Sequence, residues 1–307
     1  MKTLQDLNVN TILIPCDFCG GDKFIHLFDK MRHDLNLNTV ICENCALIMT
    51  NPQPNEETLQ DFYENFYHIF HGRQKGVNDY YIDKSKRLDA ERIELLKKIV
   101  DFDIKDKKVL EIGCGLGQFI NELGSSTSWD VLGLEPGKDS YEYCKSENIN
   151  VEKTGIEDFE TDIKFDIVAS FFVLDHLRSP KTFLNKCSEL LNEGGLIFIE
   201  VANFYKPSKS YTEWLQFPAL YSLGPISLSN YLRSAGFEII FMRDSKNKLS
   251  IFGIKTSIKT KNFVRTDVQV LIDNIYWVDK IHRTASRIPG WNSLLKKTKK
   301  ALHKISL

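Results

Sequence analysis

The 307-residue chain has no run approaching the roughly 18 apolar residues that a membrane-spanning helix needs. That excludes a helical membrane span. The first ten residues, Met1 to Asn10, carry Lys2 and Asp6 and have no apolar core of the signal-peptide kind. The expected location is therefore the cytoplasm. No charge of one sign dominates: 40 Lys and Arg face 41 Asp and Glu, for a net charge of -1. A strongly basic nucleic-acid binder is excluded at the level of the whole chain, although a local basic patch is not. Internal repeats and low-complexity segments are absent too. What remains, 42% hydrophobic and 26% charged, is an ordinary globular composition. The length suits two domains, or one of about 200 residues with additions at both ends.

In a reducing compartment, seven cysteines are poor disulfide candidates. Four of them form two pairs, Cys16-Asp17-Phe18-Cys19 and Cys42-Glu43-Asn44-Cys45, separated by 22 residues. Two residues between thiolates let one tight turn aim both sulfurs at one ion, and two such turns complete a tetrahedron. The spacing is close to that of a zinc ribbon, with a somewhat longer insert. Gly20 and Gly21 supply permissive backbone after the first pair, whereas the second ends in Ala46, where glycine is more usual. Cys16, Cys19, Cys42 and Cys45 would fill the coordination sphere of Zn2+, so the expected ion is structural rather than catalytic. The bland alternative is four reduced, unligated cysteines.

Short strands are expected over 11–50, around the cysteine pairs. Asn51-Pro52-Gln53-Pro54 then breaks the chain. Phe62, Tyr63, Phe66, Tyr67 and Phe70 follow at helical spacing, and an amphipathic helix is expected over 80–100. From 108 the pattern alternates strand and helix. Val109–Ile112, Val131–Leu134, Phe165–Leu174 and Leu196–Val201 read as strands. Residues 117–123, 138–147, 180–191 and 227–235 read as helices, and 237–242 and 250–255 as closing strands. This order argues for a parallel sheet with helices on both faces.

Glu111-Ile112-Gly113-Cys114-Gly115-Leu116-Gly117 joins the first strand of that series to its helix. Glycines there let backbone approach a ligand, with the helix N–H groups facing it. Alone the loop suits a dinucleotide, a flavin or S-adenosylmethionine. The last is favoured by Gln118 in place of a third dinucleotide glycine, by Glu111 two residues before Gly113, and by Glu135 at the end of the second strand, where it can accept from ribose hydroxyls.

The chain resembles class I S-adenosylmethionine-dependent methyltransferases over about residues 80–257. The matching pieces are VLEIGCGLG (109–117), GLEP (133–136), IEDF (156–159), FDIVASFFVLDHL (165–177) and NEGGLIFIEV (192–201). The cysteine module with NPQPNEETLQDFYENFY is similar to the zinc-binding N-terminal module of one subgroup, many of whose members modify cell-surface polysaccharides, sugars or small metabolites. The resemblance implies an α/β, Rossmann-like, doubly wound and mostly parallel seven-stranded sheet with a small N-terminal zinc ribbon, and the apolar stripe Trp291, Leu294, Leu295, Leu302 and Ile305 adds a C-terminal helical tail. Together these divide the chain into a zinc-ribbon-like module (1–54), an aromatic and helical connector and lid (55–105), a cofactor domain (106–257) and a basic helical tail (258–307). The resemblance also implies roles: Gly113, Gly115 and Gly117 beside the amino-acid part of the cofactor, Glu135 on the ribose, and Asp158 on the adenine amino group. Phe159 or Ile156 would lie against the adenine ring, and Phe171 and Phe172 would border the transfer site. Arg87 is a candidate partner for the cofactor carboxylate, with a surface-facing arginine as the alternative.

Methyl transfer to oxygen needs a base. Asp175-His176, just past the fourth strand, is the best-placed pair, although the family commonly has Glu-His there; a loop-shaping role for His176 is the alternative. His68 and His71 are other candidates. The aromatic stretch, with Tyr63, Tyr67, Tyr80 and Tyr81, would fold over the pocket, although Phe62 and Phe66 fit plain packing better. The loop 203–222, with Asn203, Tyr205, Tyr211, Trp214 and Tyr221, is expected to form a substrate wall or to cover the sheet edge.

Residues 281–307 carry seven Lys and Arg and no acid, which leaves the first 280 residues a net charge of -8. A basic amphipathic helix here can dock on the protein's own acidic surface, lie on an anionic membrane, or grip RNA phosphates. The expected function is methylation, at oxygen, of a small molecule or carbohydrate, with nucleic acid disfavoured as a partner and peripheral membrane contact through the tail as an option. The rivals are an RNA methyltransferase, a carbon-methylating deoxysugar enzyme and a non-enzymatic metal-binding scaffold.

Overall fold

The computed structural model of the protein describes residues 6–67, 77–256 and 263–285. Near the N-terminus, β1 (Thr11–Ile12) pairs antiparallel with β5 (Gln53–Pro54). Between them β2 (Phe24–Phe28), β3 (Thr39–Cys42) and β4 (Ile48–Thr50) form an antiparallel sheet. Every residue of β3 and β4 is buried, so these strands read as continuous apolar runs rather than alternating ones. Helix α1 (Glu56–Asp61) is capped by Asn55, whose side chain accepts from the Thr58 amide at 2.9 Å. It runs into a π-helical turn, Phe62–Phe66, that buries Phe62 and Phe66 as packing residues. Asn78 caps α2 (Asp79–Leu96) in the same way.

The main sheet is built from β6 (Lys108–Ile112), α3 (Gln118–Ser126), β7 (Asp130–Leu134), α4 (Lys138–Ser146), β8 (Val151–Glu152), β9 (Phe165–Phe171), α5 (Pro180–Leu190) and β10 (Leu191–Ala202). After β10 come α6 (Tyr211–Trp214), β11 (Tyr221–Ser222), α7 (Pro225–Ser234), β12 (Phe237–Asp244), β13 (Lys248–Lys255) and α8 (Val268–Ala285). The order is β12-β13-β10-β9-β6-β7-β8. The last five strands are parallel, and β13 runs antiparallel between β10 and β12. This is the expected mostly parallel seven-stranded α/β sheet. From β6 the chain moves outward through β7 to β8, then returns to place β9 on the other side of β6. That reversal opens a crevice at the carboxyl ends of β6 and β9, where such sheets bind ligands.

Two local expectations change. The apolar run 165–174 ends as a strand at Phe171, because Phe172 takes a positive φ of 57° and Leu174–His176 form a 3-10 turn. β10 begins at Leu191, directly at the end of α5. Glu193-Gly194-Gly195 therefore lies inside it, as an irregularity between the β9 pairings of Leu191 and Leu196. In the loop 203–222 several polar and aromatic groups bond within the protein, while Tyr205 and Trp214 are half-buried. Asn203 is fully buried on Asp244, the Tyr211 hydroxyl donates to the Phe204 carbonyl, and Tyr221 donates to the Arg178 carbonyl.

That loop has a second role. β11 pairs antiparallel with β4, so the N-terminal sheet runs β11-β4-β3-β2 and takes one edge strand from the far end of the chain. α8 also spans both parts. Leu271, Ile272 and Ile275 are buried, Asp279 accepts from the Tyr211 amide at 2.7 Å, and the Tyr276 hydroxyl donates to the Leu27 carbonyl. Arg283 is held by Asp279 at 2.6 Å. The remaining tail cations, Arg287 to Lys304, lie outside the described residues, as do His68 and His71. No helix among the described residues is long and apolar enough to cross a membrane.

Candidate active site and candidate metal centre

The glycine loop lies over the end of β7: the Gly113 and Cys114 amides both donate to the Leu134 carbonyl, at 2.8 and 3.0 Å. Gly113 has a φ of +70°, and a Cβ there would clash with Val173 Cγ2. The loop after β9 therefore packs directly on the loop after β6, and only glycine permits the approach. Gly117, also left-handed, starts α3. Gly115 donates its amide to Glu135 Oε2 at 2.8 Å, and Gly137 donates to Oε1 at 2.7 Å. Burial raises the Glu135 carboxyl above its ordinary value, and the two amides work against that rise.

Glu111 is buried beneath the loop, and its Oε2 has no hydrogen-bond partner among the described residues. Burial first, and Asp89 next, push its carboxyl well above the usual range. A buried acceptor without a donor is costly, and the amino group of a bound ligand would satisfy it. This orphaned oxygen, beside a loop that only glycine can form, fits the cofactor implied by the sequence. Asp158 is exposed, whereas Ile156 and Phe159 are buried. Phe172 is half-buried. Phe171 is not at a pocket face: its ring packs edge-on against Phe119 and Phe198 at 4.9 and 4.8 Å, inside the core.

Arg87 is exposed, on the outer side of α2 with Glu91 and Arg243. The inward arginine is Arg92. Its Nε and Nη2 donate to Glu200 Oε1 at 3.1 and 2.9 Å, and its Nη1 donates to Asp89. Its guanidinium lies over the Phe171 ring at 4.2 Å. Ser250 completes the group by donating to Glu200 Oε2 at 2.9 Å. The sequence carried a signal for this cluster. Asp89 and Arg92 stand on the same helical stripe as Ile93 and Leu96, and Glu200 interrupts an apolar strand.

Beyond β9, Asp175 is buried and His176 largely so. Asp175 Oδ2 lies 3.8 Å from His176 Nε2, too long for a hydrogen bond, and Asp175 Oδ1 has no partner among the described residues. Burial raises the Asp175 carboxyl, and His176 opposes the rise. On the other side of the imidazole, Nδ1 is 3.3 Å from the hydroxyl of Tyr63. Tyr63 is 46% exposed and stacks on Tyr67 at 5.7 Å. The result is a row running from a buried carboxylate through an imidazole to an accessible phenol. Sequence reading placed Tyr63 only in a covering segment.

The four cysteines of the two pairs converge, and all their sulfurs lie within 4.8 Å of one another. Cys16 is 3.5 Å from Cys45 and Cys19 is 3.6 Å from Cys42. Zinc–sulfur bonds of about 2.3 Å set tetrahedral sulfurs about 3.8 Å apart, so the donor set and its spacing fit such an ion. Turns of one pattern shape both pairs: Gly20 donates to the Cys16 carbonyl, and Ala46 to that of Cys42. Ala46 has a φ of +59°, the left-handed position that glycine would occupy more easily. Hydrogen bonds from the Cys16 and Cys45 thiols draw Cys42 down to about 2, while Cys42 in turn pushes Cys16 up to about 12. Four sulfurs this close need a cation before they can ionise together.

A family model of the methyltransferase domain matches residues 84–240. The chain belongs to that family, and its sheet is the α/β fold of class I S-adenosylmethionine-dependent methyltransferases. It is 31% identical over 199 residues to (S)-coclaurine N-methyltransferase of Papaver somniferum, covering 58% of this chain and 54% of that protein. It is 27% identical over 161 residues to a tRNA U34 carboxymethyltransferase of Campylobacter fetus, covering 47% and 56%. The chain thus spans about half the length of the curated relatives it matches. Among solved structures, 1,6-didemethyltoxoflavin-N1-methyltransferase of Burkholderia thailandensis shares the fold, with a TM-score of 0.51 and 14% identity over 75% of this chain and all of that one.

Two outcomes follow from this geometry. Arg92→Met leaves buried Asp89 without a cation and Glu200 with only Lys248, 3.7 Å away, so it should lower the free energy of unfolding by about 3–5 kcal/mol, read from urea midpoints. The same change at exposed Arg87 should leave the midpoint in place. Purified protein should carry one zinc ion per chain by elemental analysis, and Cys42→Ser should remove it.

Proposed function

We propose that this chain is an S-adenosylmethionine-dependent methyltransferase acting at oxygen on a small molecule, a carbohydrate acceptor included, with Zn2+ as a structural ion. The observation that carries the reading is the meeting, at the carboxyl ends of β6, β7 and β9, of a glycine-only loop, an orphaned acid and the Tyr63–His176–Asp175 row. Residues 106–257 would hold the cofactor, 1–54 the metal, and 55–105 would cover the pocket, with 258–307 as the helical tail.

The bound cofactor supplies a methyl group on a sulfonium, with a neutral thioether as leaving group. The chain supplies position and proton handling. Gly113, Gly115 and Gly117 let backbone approach the amino-acid part, and Glu111 Oε2 takes the amino group as its missing donor. Glu135, already held by two amides, presents its remaining lone pairs to the ribose hydroxyls, and Asp158 reaches the adenine amino group. Phe172 borders the transfer site.

An acceptor hydroxyl has to lose a proton. Tyr63 Oη is the accessible end of the row, and it can accept that proton while passing its own to His176 Nδ1. The imidazolium so formed faces Asp175, whose buried carboxylate then gains a counter-charge. Nitrogen acceptors need this relay less, so the row itself favours oxygen. The small-molecule reading is supported by the N-methyltransferase relative, whose name gives coclaurine as its substrate. The body's net charge of -8 over residues 1–280 weighs against RNA as the acceptor.

The test is incubation of sugar-nucleotide, glycan and metabolite extracts with methyl-labelled S-adenosylmethionine. A nuclease-resistant labelled product is expected; a nuclease-sensitive one would overturn the small-molecule reading. With the acceptor in hand, His176→Ala should lower kcat by about 10²- to 10⁴-fold while S-adenosylhomocysteine affinity stays put. Unchanged turnover would remove the proposed base. Glu135→Ala should weaken S-adenosylhomocysteine binding by about tenfold or more in calorimetry.

A further inference from the structure

The residues between the first two cysteines do more than turn the chain. Asp17 points away from the sulfurs and into the methyltransferase domain. Its Oδ1 accepts from the Ser179 hydroxyl at 2.5 Å, and its Oδ2 accepts from the Lys181 amide at 3.1 Å and the Tyr231 hydroxyl at 2.9 Å. Ser179 is the cap of α5 and Lys181 lies in its first turn, so the carboxylate also sits at the positive end of the helix dipole. Phe18 adds an edge-on contact with the Tyr231 ring at 5.1 Å.

What Asp17 grips is the end of the loop that carries Asp175 and His176. The same loop is held at its middle by Leu220, which β4 holds in turn. β4 follows Cys45, and its Thr50 amide donates to the Leu220 carbonyl at 2.8 Å. Leu220 in turn donates its amide to the Asp175 carbonyl at 2.8 Å. At its start the loop is fixed by the Phe172 amide on the Glu200 carbonyl, at 2.7 Å. Eight residues therefore have tethers at both ends and between: Asp17 reaches the loop directly from the cysteine module, Leu220 holds its middle while itself held by Thr50, and the Tyr221 hydroxyl donates to the Arg178 carbonyl at 2.8 Å. The 3.8 Å gap between Asp175 and His176 and the 3.3 Å reach to Tyr63 depend on where this loop is held.

We propose that Asp17 is a positioning residue for the reaction: through Ser179 and the start of α5 it sets the place of His176 between Asp175 and Tyr63. The inference rests on the function proposed above for His176. It gives the cysteine module a task in catalysis, because its first turn bonds the end of this loop directly and the strand after its second turn holds Leu220, which bonds the Asp175 carbonyl.

The experiment uses the full chain with its metal. Asp17→Ala and Tyr231→Phe are compared with the parent by zinc content, S-adenosylhomocysteine calorimetry and the ring resonances of 13C-labelled histidine. Only seven histidines are present, and the His176 signal is assigned by its loss in His176→Ala. In Asp17→Ala the His176 signals should move or broaden and kcat should fall about tenfold, with zinc content and cofactor affinity within about twofold of the parent. Tyr231→Phe removes one donor without opening a cavity and should move the same signals by less, which keeps the test valid if Asp17→Ala folds poorly. Unmoved His176 signals with unchanged kcat, even alongside a lowered melting temperature, would overturn the proposal. Loss of cofactor binding by the parent protein would instead count against the methyltransferase reading itself.

Discussion

The parallel pairing of β9 with β6 is the constraint on which the rest of this structure depends. Val109, Leu110, Glu111 and Ile112 stand opposite Ile167, Val168, Ala169 and Ser170. That register brings the turn after β6 against the turn after β9, close enough that Gly113 and Val173 leave no room for a side chain between them. Once those turns touch, the glycine loop, Glu135 and the Asp175–His176 turn have to face one crevice. Slipping the pairing by one residue would turn Glu111 to the other face of the sheet and remove the orphaned acid from beneath the loop.

Below the crevice the electrostatics are arranged around Arg92. Three acids, Asp89, Glu111 and Glu200, are buried close to a single guanidinium, which hydrogen-bonds Asp89 and Glu200 directly. Glu111 is left over. Its Oε2 has no hydrogen-bond partner among the described residues, and the Arg92 guanidinium is bonded to the other two acids. Replacing such a cluster with apolar groups of the same volume is often neutral or stabilising, whereas removing one partner alone is costly.

The cysteine module is joined to the domain rather than strung before it. β11 completes its sheet, α8 spans both parts, and Asp17 reaches the cap of α5. A small sheet with little core of its own gains an edge strand and a metal-sized sulfur cluster. In exchange, the loop carrying the candidate base gains a direct anchor at Asp17 and an indirect one through Leu220.

The sequence by itself determined the class of fold, the glycine turn with its two acids, and the two cysteine pairs. Each of these is local: periodicity, a turn that only glycine can make, and thiol spacing are properties of short segments. Tertiary structure decided the rest. Arg87 and Arg92 lie on one helix, and packing alone chose which of them faces inward. Phe171 and Phe172 are neighbours, and a single positive φ sends one into the core and leaves the other at the rim. Tyr63 meets His176 across 113 positions, and Asp17 meets Ser179 across 162. Contacts of that separation leave no periodic trace in the chain, because they are set by how sheets and loops stack and not by any segment's own preference.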